Sequence, residues 1–182
     1  LKEELGIIMP FKKKFAVGMV FTTSREIKWL KEIIKSTATI NGFNVVAVRE
    51  VKVNPNALGK FARNTKPLIV QFFLVESQKG KRPLETRLYL LRKTVEKEIL
   101  TQKKKSYICS FSSETIVYKG LMTSTQLDHF YPALTHPKYV VKLALFHKRF
   151  PTNTQSTCSM PQPFLFLPHT GELIPIKTTP FC

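Results

Sequence analysis

Between Phe15 and Ser112 the sequence switches repeatedly between strand and helix periodicity, in an order that few folds accept. Phe15 to Thr22 (FAVGMVFT) is apolar and β-rich. Ser24 suits an N-cap, and from Glu26 to Ala38 the residues Ile27, Leu30, Ile33 and Ile34 recur at helical spacing. Asn41-Gly42 predicts the stop of that helix. Phe43 to Val51 (FNVVAVREV) alternates as a strand. Asn54-Pro55-Asn56 predicts a turn and Ala57 to Arg63 a short helix. Pro67 to Val75 (PLIVQFFLV) reads as a buried strand. Leu84 to Leu100 places Leu88, Leu91, Val95 and Ile99 on one face, with Arg and Lys opposite. Ser106 to Ser112 and Thr115 to Tyr118 read as two strands around the turn Ser112-Ser113-Glu114. Ser124 to Tyr131 predicts a short helix before Pro132, and Tyr139 to Phe146 is another β-like run.

Strand, helix, strand, short helix, strand, helix, strand is the split β-α-β order of a ferredoxin-like α+β sandwich. It predicts a four-stranded antiparallel sheet from Phe15 to Ser112, with the Glu26 and Leu84 helices on one face. A unit of this kind says little about function by itself. A chain of 182 residues fits one domain, or one domain with an insertion, and a 43% hydrophobic content suffices for a core. No run of 18 apolar residues predicts a transmembrane helix, so no membrane partner is expected. The N-terminus carries no signal pattern and begins at Leu1 inside what reads as a polar helix, which suggests a fragment. Cys109, Cys158 and Cys182 are odd in number and far apart; they match neither a disulfide framework nor a zinc spacing, so no metal site is expected and a reducing compartment is.

The chain has 29 Lys and Arg against 12 Asp and Glu, a formal charge of +17. Clusters stand at Lys12-Lys13-Lys14, at Lys79 to Arg82 and at Lys103-Lys104-Lys105. Each cluster falls at a predicted loop or helix end, and no base-reading motif accompanies it. The charge therefore predicts weak, salt-sensitive nucleic-acid binding at most. A basic binding module for nucleic acid or an acidic partner stands as the alternative function.

Four stretches carry a family resemblance: "FAVGMVF" (15–21), "REVKVNPNALG" (49–59), "ETIVYKGLM" (114–122), and "LFHKRFPTNT" (145–154) followed by "QPFLFLPHTGEL" (162–173). They resemble, in order, the class II glutamine amidotransferase region of glutamate synthase, in its large-subunit or ferredoxin-dependent form. The resemblance implies an N-terminal-nucleophile hydrolase core of αββα layers. Residues 1–182 would then be a partial amidotransferase domain, with 15–112 a ferredoxin-like insertion and 113–182 part of the core and of the glutamine-site rim. It implies hydrolysis of glutamine to glutamate and ammonia by an N-terminal cysteine whose own α-amine acts as base. The ammonia would pass to a synthase region, absent from this chain, where FMN and an iron–sulfur cluster serve the conversion of 2-oxoglutarate to glutamate. A plastid location is implied for a plant or algal source, and a cytoplasmic one otherwise.

The resemblance also assigns residues. Arg149 would clamp the glutamine carboxylate, a role that suits a planar guanidinium, with His169 beside it. Thr170 and Gly171 would occupy the oxyanion positions, and Asn153 and Glu172 would support the wall. The chain departs from the family pattern at several points. It starts at Leu1 rather than at a cysteine, so no catalytic nucleophile is assigned and the chain alone is expected to be inactive. Thr170 replaces the oxyanion asparagine, with a shorter side chain and a single donor hydrogen. Pro151 stands for serine, Leu165 for arginine, Pro175 for threonine and Cys158 for tryptophan. Cys109, within YICSF, reads as a small core residue.

Overall fold

The computed structural model describes residues 14–147. In chain order the elements are β1 (Phe15–Thr22), α1 (Ile27–Ile40), β2 (Phe43–Glu50), a 3-10 turn (Pro55–Ala57) and α2 (Lys60–Asn64). There follow β3 (Leu68–Glu76), α3 (Leu84–Thr101), β4 (Tyr107–Ser112), a 3-10 turn (Ser124–Gln126), α4 (Leu127–Phe130) and a last 3-10 turn (Pro132–Thr135). The four strands form one sheet in the order β2-β3-β1-β4, and every neighbouring pair is antiparallel.

The central strand β3 is apolar on both faces because both faces are covered. Val70, Phe72 and Leu74 pack with Leu30, Ile34 and Ala38 of α1 and with Leu88, Leu91, Val95 and Ile99 of α3. Ile69 points the other way, into a second core with Met19, Phe21 and Cys109. Each fully buried Leu or Ile stabilises by about 1.5–3 kcal/mol. The expected sheet and the expected placement of both long helices on one face are observed.

Two bulges adjust the edges. In β2 the register with β3 slips between Val45 and Ala47, and Val46 turns outward. In β4 the pairing passes from Met19 with Ser110 to Val20 with Ile108, leaving Cys109 as the extra residue. Ile108 and Phe111 therefore face the helices while Cys109 enters the second core. The Phe111 ring lies directly over Gly18: a Cβ built there would come 2.4 Å from the ring.

The helix ends show how local signals are met or overridden. Gly42 stops α1 in the left-handed region at φ 77, as Asn41-Gly42 predicts. Ser24 is not the cap; α1 starts at Ile27 with Glu26 at the cap position and no side-chain cap bond. The Glu26 carboxylate is drawn elsewhere, accepting from the Lys105 N–H at 3.1 Å and the Ser106 hydroxyl at 2.7 Å.

Two expected strands are not strands. Thr115 to Tyr118 joins no ladder. Hydroxyls take its amides instead: Ser112 Oγ accepts from Glu114 and Thr115 N–H at 3.0 and 3.2 Å, and Ser110 Oγ from Val117 N–H at 3.1 Å. Tyr139 to Phe146 also carries no strand, and Val140, Leu143 and Phe146 stand exposed. The predicted helices at Ala57 to Arg63 and Ser124 to Tyr131 each form as a 3-10 turn followed by a short α-helix.

Glu85, in the first turn of α3, clasps the exit of β4. It accepts from Ser112 Oγ at 2.7 Å and from the Ser113 N–H and hydroxyl at 2.8 and 2.6 Å. Burial pushes its carboxyl up, but the Ser113 and Ser112 donors outweigh that and hold it below its usual value. A depressed folded-state pKa adds stability above the unfolded value, and that stability is lost as pH falls through the folded value. Glu85→Gln should therefore cost about 1 kcal/mol at neutral pH, a charge-assisted contact discounted for partial exposure. The gap to the parent should close below about pH 4. Urea unfolding of both proteins across that range measures it.

Candidate functional site

The face of the sheet opposite the long helices gathers residues from three of the stretches that the sequence singled out, 15–21, 49–59 and 114–122. Met19 and Phe21 of β1, Ile69 of β3 and Cys109 of β4 form its floor. Val51 and Leu58, from the 49–59 stretch, and Phe130 and Tyr131 close over them, with Ile116, Val117 and Tyr118 packed alongside.

Backbone bonds tie these parts together. Val51 N–H donates to Ile69 O at 2.8 Å, and Asn54 N–H to Phe130 O at 2.9 Å. Asn54 also accepts from Asn56 N–H through its side chain, holding the 3-10 turn. Opposite it, Thr123 and Gln126 make a capping box. Between these walls lies an open hollow of about 410 Å³ lined by Asn54, Asn56, Ala57, Thr125, Gln126 and His129. His129 Nδ1 is 2.9 Å from Asp128 Oδ1, in an exposed pair. Hydrogen bonds from His129 hold the Asp128 carboxyl below its usual value.

Lys119, in the 114–122 stretch, is buried although charged. Its Nζ donates to Tyr107 Oη at 2.9 Å and lies 4.3 Å from the centre of the same ring. Its carbonyl accepts from Tyr131 Oη at 2.8 Å. Tyr118 meets Tyr131 and Tyr139 edge-on, at 5.0 and 6.1 Å between centroids. Burial, reinforced by Tyr118, pushes the Tyr139 phenol well above its ordinary range, so it stays protonated. The family-like motifs of this layer thus act as mortar. They hold the segment after β4 against the sheet as far as Tyr139, whose ring meets Tyr118.

Arg149, Asn153, His169, Thr170, Gly171 and Glu172 lie outside the described residues. His147 is described and exposed. Cys109 is 6% exposed within β4, so the reading of it as a core residue holds. Among the described residues no group of three or more His, Cys, Asp or Glu is placed to hold a metal, and no helix is long and apolar enough to cross a membrane. Sequence reasoning did not single out Lys119, Tyr131 or Glu85 as individuals. The first lies inside a quoted motif, but no periodicity signals a buried lysine.

The sequence pattern of the class-II glutamine amidotransferases matches residues 1–179. The chain belongs to that family. Its relatives include the ferredoxin-dependent glutamate synthase of Pyropia yezoensis, 38% identical over 161 residues, 86% of this chain and 10% of the relative. The ferredoxin-dependent glutamate synthase 1 of Arabidopsis thaliana, named chloroplastic/mitochondrial, is 35% identical over 176 residues, 93% of the chain and 11% of the relative. The large chain of the Bacillus subtilis NADPH glutamate synthase is 37% identical over 176 residues, 94% of the chain and 12% of the relative. This amidotransferase chain therefore spans about a tenth of the length of the curated relatives it matches. The resemblance drawn from the quoted motifs is to the right family.

Proposed function

We propose that this chain supplies the glutamine-facing wall of a glutamate synthase amidotransferase region, on a mixed α/β scaffold of which residues 15–112 are a ferredoxin-like insertion. The family match over residues 1–179 carries this reading. The sheet order β2-β3-β1-β4, with α1 and α3 on one face, supports the insertion. The surrounding core is the αββα hydrolase arrangement that the resemblance implies. The exposed apolar run from Val140 to Phe146 fits a segment that enters it.

In this reading Arg149 holds the substrate carboxylate through two parallel hydrogen bonds. Gly171 N–H and the Thr170 hydroxyl face the carbonyl oxygen as it gains charge, His169 lines the same wall, and Asn153 and Glu172 support it. The attacking thiolate belongs to an N-terminal cysteine, and the leaving amine departs as ammonia. FMN and an iron–sulfur cluster belong to the synthase region of the resembled enzymes. A cluster takes several thiolates, and the described residues carry one cysteine, buried in β4; they do not fit such a group, and no step here runs through one. A plastid location fits those relatives whose names place them in chloroplasts.

By itself the chain should not turn over glutamine. Cys109 is sealed in a strand, and Cys158 stands where the family pattern has tryptophan. Ammonia release from glutamine by the purified chain should match a blank and stay unchanged in Cys109→Ala and Cys158→Ala. Turnover that either substitution abolishes would overturn this assignment.

A further inference from the structure

Arg87, the fourth residue of α3, is buried although charged, at 7% exposure. Its guanidinium carbon lies 4.6 Å from the centre of the Phe43 ring. Nη1 donates to Gln78 O at 3.0 Å. Glu76 Oε1 stands 3.1 Å from Nη2 and balances one charge, yet neither Nε nor Nη2 has a hydrogen-bond acceptor among the described residues. These two nitrogens form the side-on edge of the guanidinium, the edge that grips two oxygens of one oxyanion. Buried donors of this kind are normally filled by protein, water or an ion.

Residues 77–83 run over Arg87 as a strap. Ser77 and Gln78 N–H both donate to Gly42 O, at 2.9 and 3.2 Å. Gly80 touches the guanidinium: a Cβ there would come 2.6 Å from Nη1 and 3.1 Å from Nε. Lys79, Gly80, Lys81 and Arg82 are exposed, and among the described residues no backbone hydrogen bond holds them. Behind Pro83 α3 starts without a side-chain cap, and the first amides of a helix carry partial positive charge. Four cations, Lys79, Lys81, Arg82 and Arg87, gather here with two acids, Glu76 and Glu85, so two positive charges stay unbalanced. Glu85 is turned to Ser112 and Ser113, and among the described residues no strap cation forms an ion pair.

We propose that Arg87, the 79–82 strap and the start of α3 bind a phosphate group, with Nε and Nη2 of Arg87 gripping two of its oxygens. A water in the same place would satisfy the donors but leave the charge unbalanced. A phosphate dianion does both, and its further oxygens take the amides at the start of α3, as anions do at helix N-termini. A carboxylate has only the two oxygens that Arg87 itself occupies. The group reaches Arg87 by displacing the strap at Gly80, within the stretch that no backbone bond among the described residues holds.

The test titrates the full chain with inorganic phosphate and, separately, with phenyl phosphate and with acetate, in chloride at constant ionic strength. The Arg87 Nε–H signal in a heteronuclear NMR spectrum and the unfolding midpoint are read together. Phosphate should shift that signal, slow its exchange with water and raise the midpoint. An equal effect of phenyl phosphate identifies the phosphoryl group of a larger molecule as the ligand; an effect of phosphate alone identifies the free ion. Arg87→Lys keeps the charge but loses the side-on edge, and should weaken binding at least about tenfold. Lys81→Gln with Arg82→Gln, both on the exposed strap, should weaken it about threefold or more. Lys103→Gln with Lys105→Gln removes the same charge beyond the other end of α3 and should change it less than about twofold. The proposal fails if phosphate leaves the Arg87 signal unmoved, or if acetate acts as well as phosphate. It fails equally if a folded Arg87→Lys protein binds as the parent does, or if the two double variants lose binding alike.

Discussion

Gly18→Val should destabilise the fold by about 3 kcal/mol or more, and Gly18→Ala by about 1–3 kcal/mol. The cause is the Phe111 ring, which sits where the new Cβ must go, 2.4 Å from it. Phe111 is buried on the neighbouring strand, opposite Gly18 in the register, so its ring has little room to swing aside. An exposed strand glycine would show the reverse sign, because alanine and valine favour strands. The pair therefore should couple strongly. Phe111→Leu alone removes ring contacts and costs stability, but in the Gly18→Ala background it relieves the clash. A double-mutant cycle by urea unfolding should give a coupling of at least about 1 kcal/mol. Additive effects would show that the ring does not press on Gly18. The glycine inside "FAVGMVF", visible in the sequence only as part of a motif, is thus read as a packing requirement of β4.

The second large effect concerns Arg149, and it rests on the proposed glutamine wall. In an enzyme that carries this chain in place of its own amidotransferase segment, Arg149→Ala should raise the KM for glutamine by on the order of 10²-fold or more, since the substrate carboxylate loses its ionic partner. Arg149→Lys should recover only part of the loss, because an ammonium does not match the carboxylate with two parallel bonds. Initial rates of ammonia release against glutamine concentration separate KM from kcat. A fall in kcat at unchanged KM would move Arg149 away from the carboxylate.

The fold was legible wherever burial leaves a period. The run from Leu68 to Glu76 had to be covered on both faces, and the 3.6-residue spacing of Leu88, Leu91, Val95 and Ile99 marked the face α3 turns to the sheet. Gly42 was legible because few residues tolerate its backbone angle. What failed depended on partners far away in sequence. Ser24 lost the cap position once Glu26 was recruited by Lys105 and Ser106, about eighty residues on. The 115–118 segment had strand composition, but the hydroxyls of Ser110 and Ser112 captured its amides before a neighbouring strand could. Lys119 gave no pattern at all, because its burial follows from the aromatic shell of Tyr107 and Tyr131. The proposed glutamine wall rests on a motif alone. Residues proposed for chemistry rather than for packing leave no mark in periodicity or composition.

The central proposal is that Thr170 and Gly171 face the glutamine carbonyl. The direct test replaces the matching segment of the Bacillus subtilis glutamate synthase large chain with this chain, and follows ammonia release from glutamine with and without Thr170→Asn. Glutamate formation from added ammonia, which bypasses the glutamine site, reports that the chimera has folded. If the Thr170 hydroxyl falls short of the oxyanion, the chimera should hydrolyse glutamine on the order of 10²–10³ more slowly than the parent. Thr170→Asn should then restore most of that loss. A folded chimera whose glutamine hydrolysis does not respond to Thr170→Asn would contradict the placement of these two residues at the reacting carbonyl.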